Sequence, residues 1–125
     1  MNKTIIITIL ITITIFIGGV LLLSKEPKSE DILSSPNGYE YYWGNDCPHC
    51  TNVENFFSSW DKKDQVKITK YEVWNNTNNA KRMEQRAITC GIKPQSMGVP
   101  LLFTPDGKCF DGDESIIGYF KSLSI

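Results

Sequence analysis

The sequence predicts an α/β domain, a small mixed four-stranded sheet with helices on both faces, and three observations carry that prediction. Short aromatic or β-branched runs alternate with stretches whose apolar residues recur every three or four positions. A Pro105-Asp106-Gly107 turn late in the chain separates two short runs in the manner of a hairpin. The chain has 125 residues, and setting aside an apolar leader leaves about one domain's worth of sequence.

The elements follow in order. Tyr39 to Trp43 is aromatic and strand-like and stops at the turn cluster Gly44-Asn45-Asp46. After it Cys47, Cys50, Val53, Phe56, Phe57 and Trp60 form the apolar stripe of an amphipathic helix. Val66 to Val73 alternates imperfectly and reads as a second strand. Thr77 to Cys90 places Ala80, Met83, Ala87 and Cys90 at helical spacing, the Asn-rich stretch before it supplies the start, and Gly91 supplies a left-handed stop. Leu101 to Thr104 and Lys108 to Asp111 are the two arms of the hairpin. A last helix beginning near Asp113 presents Ile116, Ile117, Phe120 and Leu123 to the core. Strand-helix alternation in the first half implies right-handed crossovers and parallel pairing, and the hairpin adds antiparallel strands.

The leader is expected to be a membrane anchor. From Thr4 to Leu23 no residue is charged, and at about 1.5 Å per residue that run reaches roughly the 30 Å of a hydrocarbon core. The alternation of Ile and Thr favours a strand in water, but in lipid a lone strand leaves its backbone groups unpaired, so a helix is expected. Thr4, Thr8 and Thr12 then share one face and can bond back to carbonyls a turn earlier. A cleaved signal peptide is the competing reading, against which stand the length of the run and the absence of a small-x-small site. Lys3 on one flank and Lys25 and Lys28 on the other leave the charge rule undecided. Signal-anchor logic makes the chain a single-pass membrane protein with its domain on the extracytoplasmic side. The expected organisation is an anchor over 1–24, a Ser-, Pro-, Lys- and Glu-rich flexible linker over 25–38, and a folded domain over 39–125.

Charge says little about partners. Thirteen Lys and Arg nearly balance fourteen Asp and Glu, for a net charge of −1, which argues against a nucleic-acid surface driven by bulk charge. Tyr39, Tyr41, Tyr42 and Trp43 are accordingly read as core and rim rather than a base-stacking platform.

Four cysteines are unevenly spaced, and Cys47 and Cys50 are the informative pair. A thiol becomes a strong nucleophile on ionisation, and the first turn of a helix offers unpaired N–H groups and the positive end of the dipole. Cys47 is therefore expected to have a lowered pKa and to attack. Cys50, one turn on and on the same face, resolves the mixed disulfide. Pro48 suits the first helical position, and His49, the only histidine, can set charge beside the sulfur. Other uses of the pair are a structural disulfide, which over so short a loop removes little chain entropy, or a copper or zinc module. The metal reading must recruit further ligands from His49, Cys90 and Cys109. Cys90 and Cys109 are read either as small buried hydrophobes or as a second disulfide, the choice resting on whether their Cα atoms lie within about 7 Å.

Cys47-Pro48-His49-Cys50 after an aromatic strand, with Gly98-Val99-Pro100 before a later one, resembles the thioredoxin superfamily over roughly Tyr39 to Leu123. The body is thioredoxin- or glutaredoxin-like in length and the motif is of the DsbA type. The resemblance implies a thioredoxin-like fold and a thiol-disulfide oxidoreductase whose redox element is the Cys47–Cys50 disulfide, with no other cofactor. It implies cysteine-containing protein substrates and a redox partner. It also implies a cis Val99–Pro100 bond and a substrate segment that pairs with the backbone of Val99. Without the resemblance, Pro100 reads as a plain strand starter. The acid that such proteins carry on the first strand would fall at Tyr41, with Glu40 one position out of register, so the resemblance assigns no proton acceptor to Cys50. Asp46 stands where thioredoxins have Trp, and its charge opposes thiolate formation unless it points away.

Overall fold

A computed structural model describes residues 2–23 and 35–125, with the backbone alone for residue 16 and residues 18–23. The chain divides into two compact units, Met1–Asp31 and Ile32–Ile125. The predicted linker lies outside the described residues up to position 34.

The first unit contributes helix α1, Lys3–Leu23. The Thr8 hydroxyl donates to the Thr4 carbonyl at 3.1 Å and the Thr12 hydroxyl to the Thr8 carbonyl at 3.1 Å, the back-bonding expected of their spacing. Thr14 does the same toward Leu10. The expected localisation needs correction, because among the described residues no helix is long and apolar enough to cross a membrane. The helix opens on the charged Lys3, which bounds the apolar run at its start. Thr4, Thr8, Thr12 and Thr14 also interrupt the apolar surface turn by turn. A single-pass anchor holding the domain on the extracytoplasmic side is therefore not carried forward.

The second unit is the mixed sheet the alternation predicts. Its strands are β1 (Tyr39–Trp43), β2 (Ile68–Glu72), β3 (Leu101–Phe103) and β4 (Cys109–Asp111), in spatial order β2-β1-β3-β4. β1 and β2 run parallel with Tyr41 opposite Lys70. β1 and β3 are antiparallel with Tyr41 opposite Leu102, and β3 and β4 are antiparallel with Leu102 opposite Phe110. β2 is two residues shorter at its start than its sequence pattern, and as an edge strand it has no fully buried residue, which is why its alternation is imperfect.

Helices α2 (Pro48–Ser59), α3 (Thr77–Thr89) and α4 (Asp113–Ser122) cover the sheet. Tyr41 and Leu102 point to one face, where Val53, Phe57 and Trp60 of the α2 region meet Ile116 and Phe120 of α4. Tyr42, Leu101 and Phe103 point to the other, against Ala87 of α3 and Val73. One face thus has two helices and the other one. The period-2 alternation of β1 assigns neighbouring tyrosines to separate cores. Asn76 caps α3, its Oδ1 accepting from the Asn78 and Asn79 N–H groups at 3.1 Å each, and Gly91 ends it at a φ of 75°. Gly107 and Gly112, at φ of 80° and 77°, allow the hairpin turn and the entry to α4.

Candidate functional site

The site forms where β1 hands over to α2. Asp46 takes a left-handed φ of 55°, which turns the chain so that Cys47 becomes the N-cap of α2 and Pro48 its first residue. The Cys47 carbonyl accepts the first helical bond, from the Thr51 N–H at 3.1 Å. Its sulfur accepts from the Cys50 N–H at 3.1 Å, in the place usually filled by a capping oxygen. Cys47 and Cys50 are joined as a disulfide, with Cα atoms 5.2 Å apart. Cys47 is 7 % exposed and Cys50 2 %, so Cys47 has the greater share of the pair's access to solvent. Asp46 itself is exposed.

The Val99–Pro100 bond is cis. The Val99 carbonyl oxygen lies 3.9 Å from Cys47 Sγ, so the fold brings together residues 52 positions apart in sequence. Pro100 is buried beneath this contact, and its carbonyl accepts from the Gly112 N–H at 3.0 Å, tying the segment to the start of α4.

His49 is exposed on the first turn of α2. Its Nδ1 lies 3.0 Å from Asp113 Oδ1, while Asn52 Nδ2 donates to Asp113 Oδ2 at 2.6 Å. The Asn52 bond, with the bond to His49, holds the Asp113 carboxyl below its ordinary pKa against the opposing effect of desolvation. Asp113 was not singled out by sequence, where it marked only a helix start. A shared carboxylate between two helix N-termini becomes visible when α2 and α4 lie side by side.

Beneath the disulfide, the Tyr41 hydroxyl donates to the Cys50 carbonyl at 3.3 Å. Burial, reinforced by the charges of Glu54 and Asp113, pushes the Tyr41 pKa up, which keeps the hydroxyl a donor. Glu40, one residue earlier, faces the opposite side of the sheet and is 2 % exposed. Arg86 Nε donates to Glu40 Oε2 at 2.8 Å, Arg82 Nη2 to Oε1 at 2.8 Å, and the Tyr42 hydroxyl to Oε2 at 2.7 Å. Burial raises the Glu40 pKa, but the bonds from Arg86, Arg82 and Tyr42 outweigh it and the net shift is downward. This acid therefore stabilises the far face of the sheet and stands apart from the cysteines. Glu in an aromatic strand and Arg82 and Arg86 four apart on one helix face were the sequence signs of it.

A pocket of about 150 Å³ adjoins the disulfide, lined by Trp43, the 44–46 turn, Cys47, Cys50, Thr51 and Glu54. Cys90 and Cys109 lie away from this pocket and form a second disulfide, Cα atoms 6.0 Å apart, joining the end of α3 to the edge strand β4. Among the described residues no group of three or more His, Cys, Asp or Glu side chains is arranged to hold a metal ion. No protein-family model matches the chain, and no curated protein matches it at a significant level.

Proposed function

We propose that the second unit is a thiol-disulfide oxidoreductase of thioredoxin-like fold that exchanges disulfides with cysteine-containing proteins through Cys47 and Cys50. The observation that supports this best is the capping position of Cys47, whose sulfur receives the Cys50 N–H at 3.1 Å and sits at the positive end of α2. Both contacts stabilise a thiolate over a thiol once the disulfide is reduced.

The exchange has two steps. The Cys47 thiolate attacks a substrate disulfide, forms a mixed disulfide and releases one substrate thiolate. Cys50 loses its proton and attacks Cys47 Sγ, closing the Cys47–Cys50 bond and releasing the second substrate thiolate. Two electrons pass from the dithiol to the substrate, and the reverse sequence oxidises a substrate dithiol. His49, held at Asp113, tunes the charge near the attacking sulfur. The backbone of Val99, beside cis-Pro100 and 3.9 Å from that sulfur, offers an extended substrate segment a strand-like partner.

The test is capture. Cys50→Ser protein, reduced and mixed with a substrate disulfide, should accumulate a covalent adduct at Cys47 that dithiothreitol releases, while the wild type should turn the same disulfide over. Absence of both adduct and turnover overturns the reading. The reduction potential of the Cys47–Cys50 pair, measured against glutathione, then fixes the direction of electron flow.

A further inference from the structure

Glu54 stands one turn beyond Cys50 on α2 and lines the same pocket as both cysteines. Its Oε2 is bonded to Lys70 Nζ of β2. Its Oε1 is buried and has no hydrogen-bond partner. A carboxylate oxygen withdrawn from water without a donor is costly to keep, and here it is kept beside a redox-active pair.

The groups that face Glu54 narrow its use. From β2 comes Lys70, which engages the other oxygen and lies 5.6 Å from the Phe57 ring centre. From β1 comes Tyr41, whose hydroxyl is held protonated and donates to the Cys50 carbonyl. The turn contributes Asp46, which is exposed, and α4 contributes Asp113, whose two oxygens are taken by His49 and Asn52. In the reduced protein the proton in this surrounding that must move for exchange to finish belongs to the Cys50 thiol.

Building on the exchange reading above, we propose that Glu54 is the proton acceptor for Cys50 in the resolving step. Starting from the mixed disulfide at Cys47, the Cys50 S–H proton passes to Glu54 Oε1, the two residues lining one pocket. The resulting thiolate attacks Cys47 Sγ, the Cys47–Cys50 bond forms, and the bond from Cys47 to the substrate sulfur breaks with its electron pair leaving on that sulfur. In the reverse direction the Glu54 carboxylic acid returns the proton to Cys50 as its thiolate leaves. Lys70 holds the carboxylate by Oε2 and leaves Oε1 without a competing donor.

The experiment follows the mixed disulfide itself. Reduced full-length protein is mixed with excess glutathione disulfide, quenched in acid at intervals, and its glutathione adduct at Cys47 is counted by mass spectrometry from pH 5 to 9. Glu54→Gln, which preserves shape and an oxygen for Lys70, should form the adduct and resolve it at least about tenfold more slowly at neutral pH. Its resolution rate should rise in proportion to hydroxide. Glu54→Asp should restore a pH profile of carboxylate form. Resolution by Glu54→Gln within twofold of wild type, or uniformly slowed with an unchanged profile, overturns the role of Glu54 while leaving the exchange reading standing. Failure of the wild type to form any adduct overturns the exchange reading and this inference with it.

Discussion

His49 Nδ1 and Asp113 Oδ1 stand 3.0 Å apart and join the first turns of α2 and α4. The imidazole two residues from Cys47 is thereby oriented by a carboxylate 64 residues away. A second donor, Asn52, holds that carboxylate from α2 itself.

That pairing predicts a graded response from the two partners. His49→Gln removes the ionisable ring and should slow alkylation of reduced Cys47 by about threefold at pH 6, the modest effect of an exposed and screened charge. Asp113→Asn should change the same rate by less than His49→Gln, because the amide can still accept from the ring. The lowered Asp113 pKa adds a stability effect that is present above the unfolded value of about 3.9 and lost as pH falls through the folded value. Alkylation kinetics with iodoacetamide and acid denaturation curves check both outcomes.

Glu40 predicts acid sensitivity from the other face of the sheet. Its folded pKa lies below the unfolded one, so its contribution is fully present above about pH 4.3 and disappears as pH drops through the folded value. Glu40→Gln removes the counter-charge of Arg86, which is itself 3 % exposed. Breaking a buried pair in this way costs about 3 kcal/mol. Urea midpoints should fall at pH 7, and the variant should lose the wild-type decline below pH 4.

Periodicity and turn chemistry were enough to order the strands and α-helices of the second unit, because α2, α3 and α4 each bury a single stripe and each stripe is written at helical spacing, whereas the short 3-10 turns at Lys63–Gln65 and Pro94–Ser96 carry no such stripe. Element ends moved where the sheet position decided them: β2, predicted over 66–73, occupies Ile68–Glu72 at an edge. Cys47 and Cys50 were legible because their spacing and the helix start are local features. Asp113 and Glu54 were not, since each acquires meaning from a residue on another element, His49 and Lys70 respectively. The N-terminal run was legible as a helix, yet charge-free length alone overstated it as a span, since among the described residues no helix is long and apolar enough to cross a membrane.

The Cys90–Cys109 disulfide closes a loop of sequence separation 19 between α3 and β4. Cross-linking a loop of that size restricts the unfolded chain by about 3 kcal/mol. Cys90→Ser with Cys109→Ser should therefore lower the denaturant midpoint with adduct formation at Cys47 retained, because the bond lies outside the pocket that Cys47 and Cys50 line. Loss of stability and exchange together would instead place the second disulfide in the reaction.

Gly44 is buried in the turn ahead of Cys47, and a Cβ added there would collide with the Trp74 ring. Trp74 is held over this turn at its backbone, its N–H donating to Glu72 Oε1 at 2.9 Å, while the residue remains 58 % exposed. The indole can therefore swing into solvent to admit a methyl group, and the cost is the contact it gives up. Gly44→Ala should destabilise the protein by about 1 kcal/mol, the low end for overpacking. Trp74→Ala should make the same Gly44→Ala change nearly neutral, because the atoms it would strike are gone. A double-mutant cycle on urea midpoints measures that coupling directly. Additive effects would mean that the ring does not rest on the turn.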